Sequence, residues 1–350
     1  MTRPYPLQDD VRKYKSAITE SAVEPPTKSE PASKKRSLDY IVKSGLAGGL
    51  AGCAAKSLVA PLDRVKILFQ TSTPEFARYS GSWGGFVSAI TAIREKEGFR
   101  GLFKGHSATL FQKFPYAAIN FLAYEQIRAI IIPTPDKKTP LRQLLSGSLA
   151  GSASILFTYP LDLIRVRLAI ETRSHRVSWK DVCLQIYHEH DAPLHPQRFK
   201  ALLPHMGLTN FYRGFGPTIL GMIPYAGMSF FTHEVIGDWL RSPAFAPYTV
   251  SESRSSKHPG RPQLVTVAEL FAGGLAGVIA QTASYPLEVL RRRMQVGGHR
   301  LGMAQTCRKM WSEKGFRGFY VGMTIGYIKV VPLVATSFLV YERLKWAMGI

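Results

Sequence analysis

The sequence predicts an all-α membrane protein in which six transmembrane helices are arranged as three tandem two-helix repeats. Two observations carry that expectation. The first is a motif present three times, "PLDRVKILFQ" from Pro61, "PLDLIRVRLA" from Pro160 and "PLEVLRRRMQ" from Pro286, each ending an apolar run rich in small residues. Self-similarity at a long, fixed period marks a repeat architecture. The second is the shared order of segments C-terminal to each copy. A polar connection leads to a glycine-bounded turn ("GFRGLFKG", "GLTNFYRG", "GFRGFYVG") and then to a second apolar stretch that ends in "YEQIR", "HEVIG" or "YERLK".

Taken in order, the first helix of each repeat is expected over 37–70, 141–170 and 266–295, and the second over 105–131, 214–240 and 322–347. About 20 residues cross a hydrocarbon core, and every stretch reaches that length. The runs "GLAGGLAG", "GSLAGSAS" and "AGGLAGVIA" place small residues four apart, which lets helices approach closely where lipid gives no hydrophobic drive for association. The repeats therefore span 37–132, 139–241 and 264–350, with a polar inter-repeat loop at 242–263. Residues 1–36 are rich in Pro, Ser, Glu and Lys and are expected to form a disordered tail. The acids in that tail make it a poor transit peptide.

The net charge is +21 over 350 residues, with basic residues scattered through apolar stretches. A nucleic-acid reader would gather them on one face, so no nucleic-acid partner is expected. Cys53, Cys183 and Cys307 are too few and too far apart for a zinc site or a disulfide framework. His188, His190, Asp191 and His195 are of ligand type but sit in a proline-broken loop with no second cluster, and no metal is expected there. "GLAGGLAGCAAKS" lacks the glycine before its lysine that a phosphate-binding loop needs. No catalytic constellation or cofactor motif is present, so the chain is not expected to be an enzyme.

Ionisable residues inside membrane helices are costly and face one another or a water-filled interior. Asp63 and Lys66 are three apart and share a helix face, as do Asp162 with Arg165 and Glu288 with Arg291. Three such helices around an axis let each acid meet a neighbour's base, closing a ring of ion pairs. Lys56 and Gln70 lie on the same stripe as Asp63. Pro61, Pro160 and Pro286 are expected to kink each helix just before its acid. A second set of acids and bases ends the even helices: Tyr124, Glu125 and Arg128; Tyr341, Glu342 and Lys345; and Glu234, whose base position is Gly237. Two charge sets at opposite ends of one bundle read as two gates of an alternating-access transporter.

From residue 37 to residue 347 these features resemble the mitochondrial carrier family, through the triplicated Px[DE]xx[KR] motif and the aromatic-acid-xx-base motif at Tyr124 and Tyr341. The resemblance implies a threefold pseudosymmetric carrier bundle in the mitochondrial inner membrane, monomeric, with termini facing the intermembrane space. It implies that the Asp63, Lys66, Asp162, Arg165, Glu288 and Arg291 network closes on the matrix side, braced by Gln70 and Gln295, and that the second set closes on the cytosolic side. Ala169 leaves one brace absent, Leu68 replaces a second base, and His233 and Gly237 depart from the second-gate motif. Cardiolipin is expected at the even-helix starts near Gly105, Gly214 and Gly322, where free amides suit phosphates.

Each even helix carries a proline preceded by an equivalent pair: Gln112 and Lys113, Gly221 and Met222, Lys329 and Val330. Different fillings at equivalent positions mark an asymmetric ligand. In the family these slots resemble substrate contacts, and a Gly-aliphatic pair on the fourth helix resembles carriers of adenine-containing substrates. Lys56, Lys113 and Lys329 would meet phosphates, with space for a purine beside Gly221. The motifs look most like the coenzyme A carrier branch, so the expected cargo is coenzyme A or a related adenine nucleotide such as adenosine 3',5'-diphosphate. An ATP-type carrier is the alternative, and a non-transporting membrane scaffold accounts for the charge but for neither gate.

Overall fold

The computed structural model describes residues 38–80, 83–134, 139–172, 177–189, 207–250, 262–297 and 301–349. Among them the regular structure is helical, apart from an isolated bridge between Val250 and Leu264. The tail expected at 1–36 lies outside the described residues, as do His190, Asp191, His195 and the centre of the 242–263 loop. The chain divides into two units, Met1–Ala51 with Phe338–Ile350, and Gly52–Ser337. The second holds the acid–base residues of the three proline motifs.

Repeat 1 begins with α1 (Leu38–Leu58) and α2 (Ala60–Gln70), which meet at Val59 with a bend of 57°. Pro61 stands in the first turn of α2, where its missing N–H costs no intrahelical bond. A surface helix, α3 (Trp83–Glu97), and then α4 (His106–Ile131) complete the repeat. Repeat 2 has α5 (Pro140–Ile170), α6 (Trp179–His188) and α7 (Phe215–Leu240). Thr139 caps α5 by accepting from the Arg142 amide, and Ser178 with Asp181 forms a capping box on α6. Repeat 3 has α8 (Thr266–Val296), α9 (Met303–Lys314), α10 (Met323–Ile328) and α11 (Val330–Met348).

The prolines do not act alike. The expected kink is a break only in repeat 1; α5 and α8 run on through Pro160 and Pro286. In those two helices the residue before the proline is a tyrosine, Tyr159 or Tyr285, buried and with its hydroxyl both donating and accepting. Repeat 1 has Ala60 there. Repeat 3 breaks elsewhere, at Lys329, between α10 and α11. Pro332 lacks the N–H that would bond the Ile328 carbonyl, so the ladder is interrupted at that turn.

By length and apolarity, Thr266–Val296 and Met303–Met348 qualify to cross a bilayer, and the bent pair Lys43–Leu58 with Ala60–Gln70 makes a third candidate. Against the six expected spans, α4, α5 and α7 are long enough but not apolar enough.

Within the second unit, α4 packs along α5 and α7 along α8. In the small-residue runs the buried positions are mostly alanine and serine, joined by Gly151, where a Cβ would stand 3.2 Å from the Met222 methyl. Ser146, Ala150, Ser154 and Thr158 are buried along α5, and Ala268, Ala272, Ala276 and Ala280 along α8. A side chain added at Gly147, Gly273, Gly274 or Gly277 would meet nothing within 4 Å. The remaining burial gathers at the other end of each first helix. Leu68 and Phe69 pack with Ile93 and Leu102, Leu163 and Leu168 with Val182 and Ile186, and Val289 and Leu290 with Met310 and Phe319. Each repeat thus closes a small core around its first helix and its surface helix. Large side chains such as Phe114, Phe121, Phe157, Phe231 and Phe271 stay exposed along the long helices, a surface that suits lipid better than water.

Candidate functional site

α2, α5 and α8 each carry an acid and, one turn on, a base, and the structure pairs them between repeats. Arg165 lies 3.5 Å from Asp63, Arg291 2.6 Å from Asp162, and Lys66 2.8 Å from Glu288. Acid of repeat 1 to base of repeat 2, acid 2 to base 3, and acid 3 to base 1 form a closed cycle. Asp63, Lys66 and Asp162 are buried. A charge there is tolerable only while partnered, and removing one member of such a pair costs about 3–5 kcal/mol.

Two of the three junctions carry a further set of bonds. The Gln70 amide donates to Glu288 (3.1 Å) and to the Tyr285 hydroxyl (3.0 Å), which donates in turn to the Val321 carbonyl (2.9 Å). The Gln295 amide donates to Asp162 (2.9 Å) and to the Tyr159 hydroxyl (3.1 Å), which donates to the Arg213 carbonyl (2.7 Å). The same rings lie beside the bases, with Lys66 5.1 Å from the Tyr285 centroid and Arg291 5.3 Å from that of Tyr159. Arg292 adds a second guanidinium to Asp162 at 3.0 Å and bonds the Gln295 side chain at 2.9 Å.

The junction between repeats 1 and 2 lacks this set, because Ala60 and Ala169 stand where the others have tyrosine and glutamine. Ala169 contributes its carbonyl instead. Arg64, the largest fully buried side chain among the described residues, donates to the Ala169 carbonyl (3.0 Å), to the Glu171 carbonyl (3.0 Å) and to the Gly101 carbonyl, and is paired with Glu97 at 2.9 Å. Asp63 has a second partner in Lys329, at 2.7 Å.

Arg64 belongs to an outer belt that the sequence motifs do not disclose. At the next junction Arg213 pairs with Glu189 and donates to the Gly297 carbonyl (3.1 Å), and Arg167 pairs with the same Glu189 at 3.0 Å. At the third, Arg293 pairs with Glu313 (2.8 Å) and donates to the Gln70 carbonyl (3.2 Å) and to Ser72. Each of Arg64, Arg213 and Arg293 is thus anchored on an acid at the end of its own repeat's surface helix and reaches a carbonyl at the end of the next repeat's first helix. The signals available in the sequence were Arg64 within "PLDR" and the dipeptide Tyr-Pro, present in two motifs and absent from the third.

Gly105, Gly214 and Gly322 cap α4, α7 and α10 in the left-handed conformation, at φ of 81°, 81° and 80°. Each sits against the next base in the cycle. A Cβ would stand 2.8 Å from the Arg165 carbonyl at Gly105, 3.0 Å from the Arg291 carbonyl at Gly214, and 3.6 Å from that of Lys66 at Gly322. Only glycine meets both demands at the first two.

The slot residues border the ring. Gln112 and Lys113 line a cavity of about 180 Å³ with Asp162, Arg165 and Arg291, and Gly221 and Met222 line an adjoining one of about 600 Å³. Lys56 lies within Coulombic reach of Asp63, Lys113, Lys329 and Arg165. Lys56, Lys113 and Lys329 thus form a cationic cluster tempered by Asp63 and, on the Lys113 side, by Asp162. Val330 begins α11 and is exposed.

Of the second charge set, Tyr124, Glu125 and Arg128 lie on α4, where Glu125 and Arg128 are, respectively, exposed and without an ion-pair partner among the described residues. Tyr341, Glu342 and Lys345 lie on α11, with the Lys345 ammonium 5.9 Å from the Tyr341 centroid. Glu234 and Gly237 lie on α7, and Gly237 is not simply a missing base. Arg241, one turn further on, folds back so that its Nη1 would stand 2.8 Å from a Cβ at Gly237. It also lies 3.5 Å from Asp238 and donates to the Pro262 carbonyl at 3.0 Å. His188 ends α6 against the Tyr187 ring. No group of three or more metal-ligating side chains is found among the described residues.

A helical chain built of three matching repeats, with a cyclic acid–base ring next to a cationic cavity, defines a membrane solute carrier. The family model described as mitochondrial carrier protein matches residues 38–134, 136–243 and 262–349, and the chain belongs to that family. It is similar to the mitochondrial carrier protein LEU5 of Saccharomyces cerevisiae, 48% identical across the whole of both chains. It is 40% identical to human solute carrier family 25 member 16, over 87% of this chain and 88% of that one. It is also 37% identical to the mitochondrial coenzyme A transporter SLC25A42 of Xenopus laevis, over 86% and 84% respectively.

Proposed function

We propose that this carrier moves coenzyme A, or a related adenine nucleotide such as adenosine 3',5'-diphosphate, across the mitochondrial inner membrane by alternating access. The observation that carries the reading is the paired cavity. Lys113, Asp162, Arg165 and Arg291 wall its smaller part, Lys56 and Lys329 lie within Coulombic reach, and Gly221 and Met222 line its larger, mainly apolar part. Phosphates suit the first environment and a purine the second, and pockets of a few hundred Å³ hold ligands of this size. The similarity to a protein named as a coenzyme A transporter points the same way.

In this reading the chain is a six-span, threefold pseudosymmetric bundle, and the cycle of Asp63, Lys66, Asp162, Arg165, Glu288 and Arg291 is a matrix-side gate in its closed state. Gln70 and Gln295 brace it. The charge set on the even helices is the cytosolic gate, and the termini face the intermembrane space. The polar faces of α4, α5 and α7 then line the aqueous interior, which accounts for their low apolarity. Cardiolipin binds at the even-helix starts. Surface cavities of about 970 and 880 Å³ open beside Gly214 and Gly322, the first edged by Arg213, Lys309 and Lys314, and they support a phosphate-bearing lipid there. The carrier works as a monomer.

The test is uptake by purified protein in cardiolipin-containing liposomes, loaded with adenine nucleotide and offered coenzyme A, adenosine 3',5'-diphosphate or ATP. Coenzyme A exchange is expected. Exchange of ATP and phosphate alone would make this an ATP-type carrier, and transport of nothing in the panel would favour a scaffold.

A further inference from the structure

The larger and smaller cavities share three lining residues, Tyr116, Ile155 and Arg291, and Tyr116 is the aromatic one. It follows Pro115 on α4, and Lys113, one turn earlier, places its ammonium 5.8 Å from the Tyr116 ring centroid. Tyr159 and Tyr285 have both sides of their hydroxyls committed to braces. Among the described residues the Tyr116 hydroxyl makes no hydrogen bond, and its ring is half-buried. The ring therefore holds no part of the fold together in the way the other two do.

Its surroundings differ on its two sides. Toward the smaller cavity are Lys113, Asp162, Arg165 and Arg291; the larger is mainly apolar, with Gly151, Gly221 and Met222 in its lining and Glu288 and Arg291 as its charged residues. A flat ring between a densely charged space and a mainly apolar one matches a ligand that joins a planar base to phosphates. The repeats are unequal here as well. The residue after the even-helix proline is Tyr116 in repeat 1, Tyr225 in repeat 2 and Leu333 in repeat 3, so the third repeat offers no stacking surface at this level.

We propose that Tyr116 is a specificity-determining residue on which the purine of the cargo stacks, with the base in the larger cavity and the phosphates in the smaller. This rests on the adenine-bearing cargo inferred above. Base-on-aromatic stacking tolerates any planar base and is lost when the ring is removed.

The experiment compares two probes in liposomes, coenzyme A and 4'-phosphopantetheine, which keeps a phosphate and the pantetheine arm but has no base. Tyr116→Ala is expected to raise the half-saturating concentration for coenzyme A about tenfold, equivalent to about 1.4 kcal/mol, and to leave 4'-phosphopantetheine unchanged. Tyr116→Phe is expected to behave as wild type, because the ring and not the hydroxyl does the stacking. Tyr116→Leu, the side chain repeat 3 carries at this position, replaces the alanine variant if that protein does not fold. An equal loss on both probes, or no loss on either, overturns the proposal while leaving the cargo reading intact. A wild-type protein that moves no adenine compound overturns both.

Discussion

Arg64→Ala tests the outer belt at its most buried point. Arg64 is 1% exposed, and its guanidinium holds Glu97 at 2.9 Å and the Ala169 and Glu171 carbonyls at 3.0 Å each. Breaking a buried ion pair from one side costs about 3–5 kcal/mol. Lys104 remains 2.8 Å from Glu97 and keeps that carboxylate paired, which puts the expected cost near the lower end, about 3 kcal/mol. Arg293 occupies the corresponding place at another junction, but its partner Glu313 has a side chain 36% exposed. Its pair is screened by solvent, so Arg293→Ala should cost about 1–2 kcal/mol from the ion pair and the lost carbonyl bond together. The assay is thermal unfolding of the purified carrier in detergent with the two variants side by side. At roughly 1–2 °C per kcal/mol for a chain of 350 residues, Arg64→Ala should unfold about 3–6 °C below wild type and below Arg293→Ala. Arg64→Lys should recover part of the loss, since an ammonium can reach Glu97 but cannot fork to two carbonyls. Equal midpoints for the two alanine variants would refute the argument, because burial would then not be what distinguishes the junctions.

Three further outcomes are expected. Gln70→Ala should change initial exchange rates more than Gln295→Ala, because Glu288 is left with Lys66 while Asp162 keeps both Arg291 and Arg292. Alanine at the capping glycines should lower folded yield most at Gly105, less at Gly214 and least at Gly322. All three carry the left-handed cost of about 1–2 kcal/mol, and the approach to the neighbouring carbonyl relaxes from 2.8 to 3.0 to 3.6 Å. Arg241→Ala should slow exchange, and adding Gly237→Lys should restore it, since the lysine would stand where the guanidinium now lies; a double variant no faster than the single one would make Arg241 a helix-end contact only.

Features set by local spacing were legible in the sequence. Acid and base three residues apart on one face, repeated three times, specify a cyclic pairing whatever the surrounding packing. Features that depend on two repeats meeting were not. Ala169 reads as a lost brace because its side chain is small, yet its carbonyl is held by Arg64. Lys329 reads as a free cation for cargo, and its bond to Asp63 joins residues 266 apart. The small-residue runs do supply buried positions, but which of their residues turn inward was not legible: alanine and serine are buried while most of the glycines are not. The three prolines look alike in sequence, yet only beside Pro61 is the helix interrupted; Tyr159 and Tyr285, with anchored hydroxyls, precede the other two where repeat 1 has Ala60.

The capping glycines and ion pairs have a consequence for how the molecule can be assembled. Every seam takes its acid and its glycine from one repeat and its base and carbonyl from another, so no single repeat contains a complete seam. Only the seam of Asp63 with Arg165 can zip once the second repeat has emerged. The other two, Asp162 with Arg291 and Lys66 with Glu288, wait for the third repeat, and the latter joins positions 222 residues apart. Until then the first repeat holds a buried-type lysine with no carboxylate to meet. A chain truncated after its second repeat would be an open arc with two mismatched ends, and three separate copies of one repeat would hold the full set of seams that two cannot.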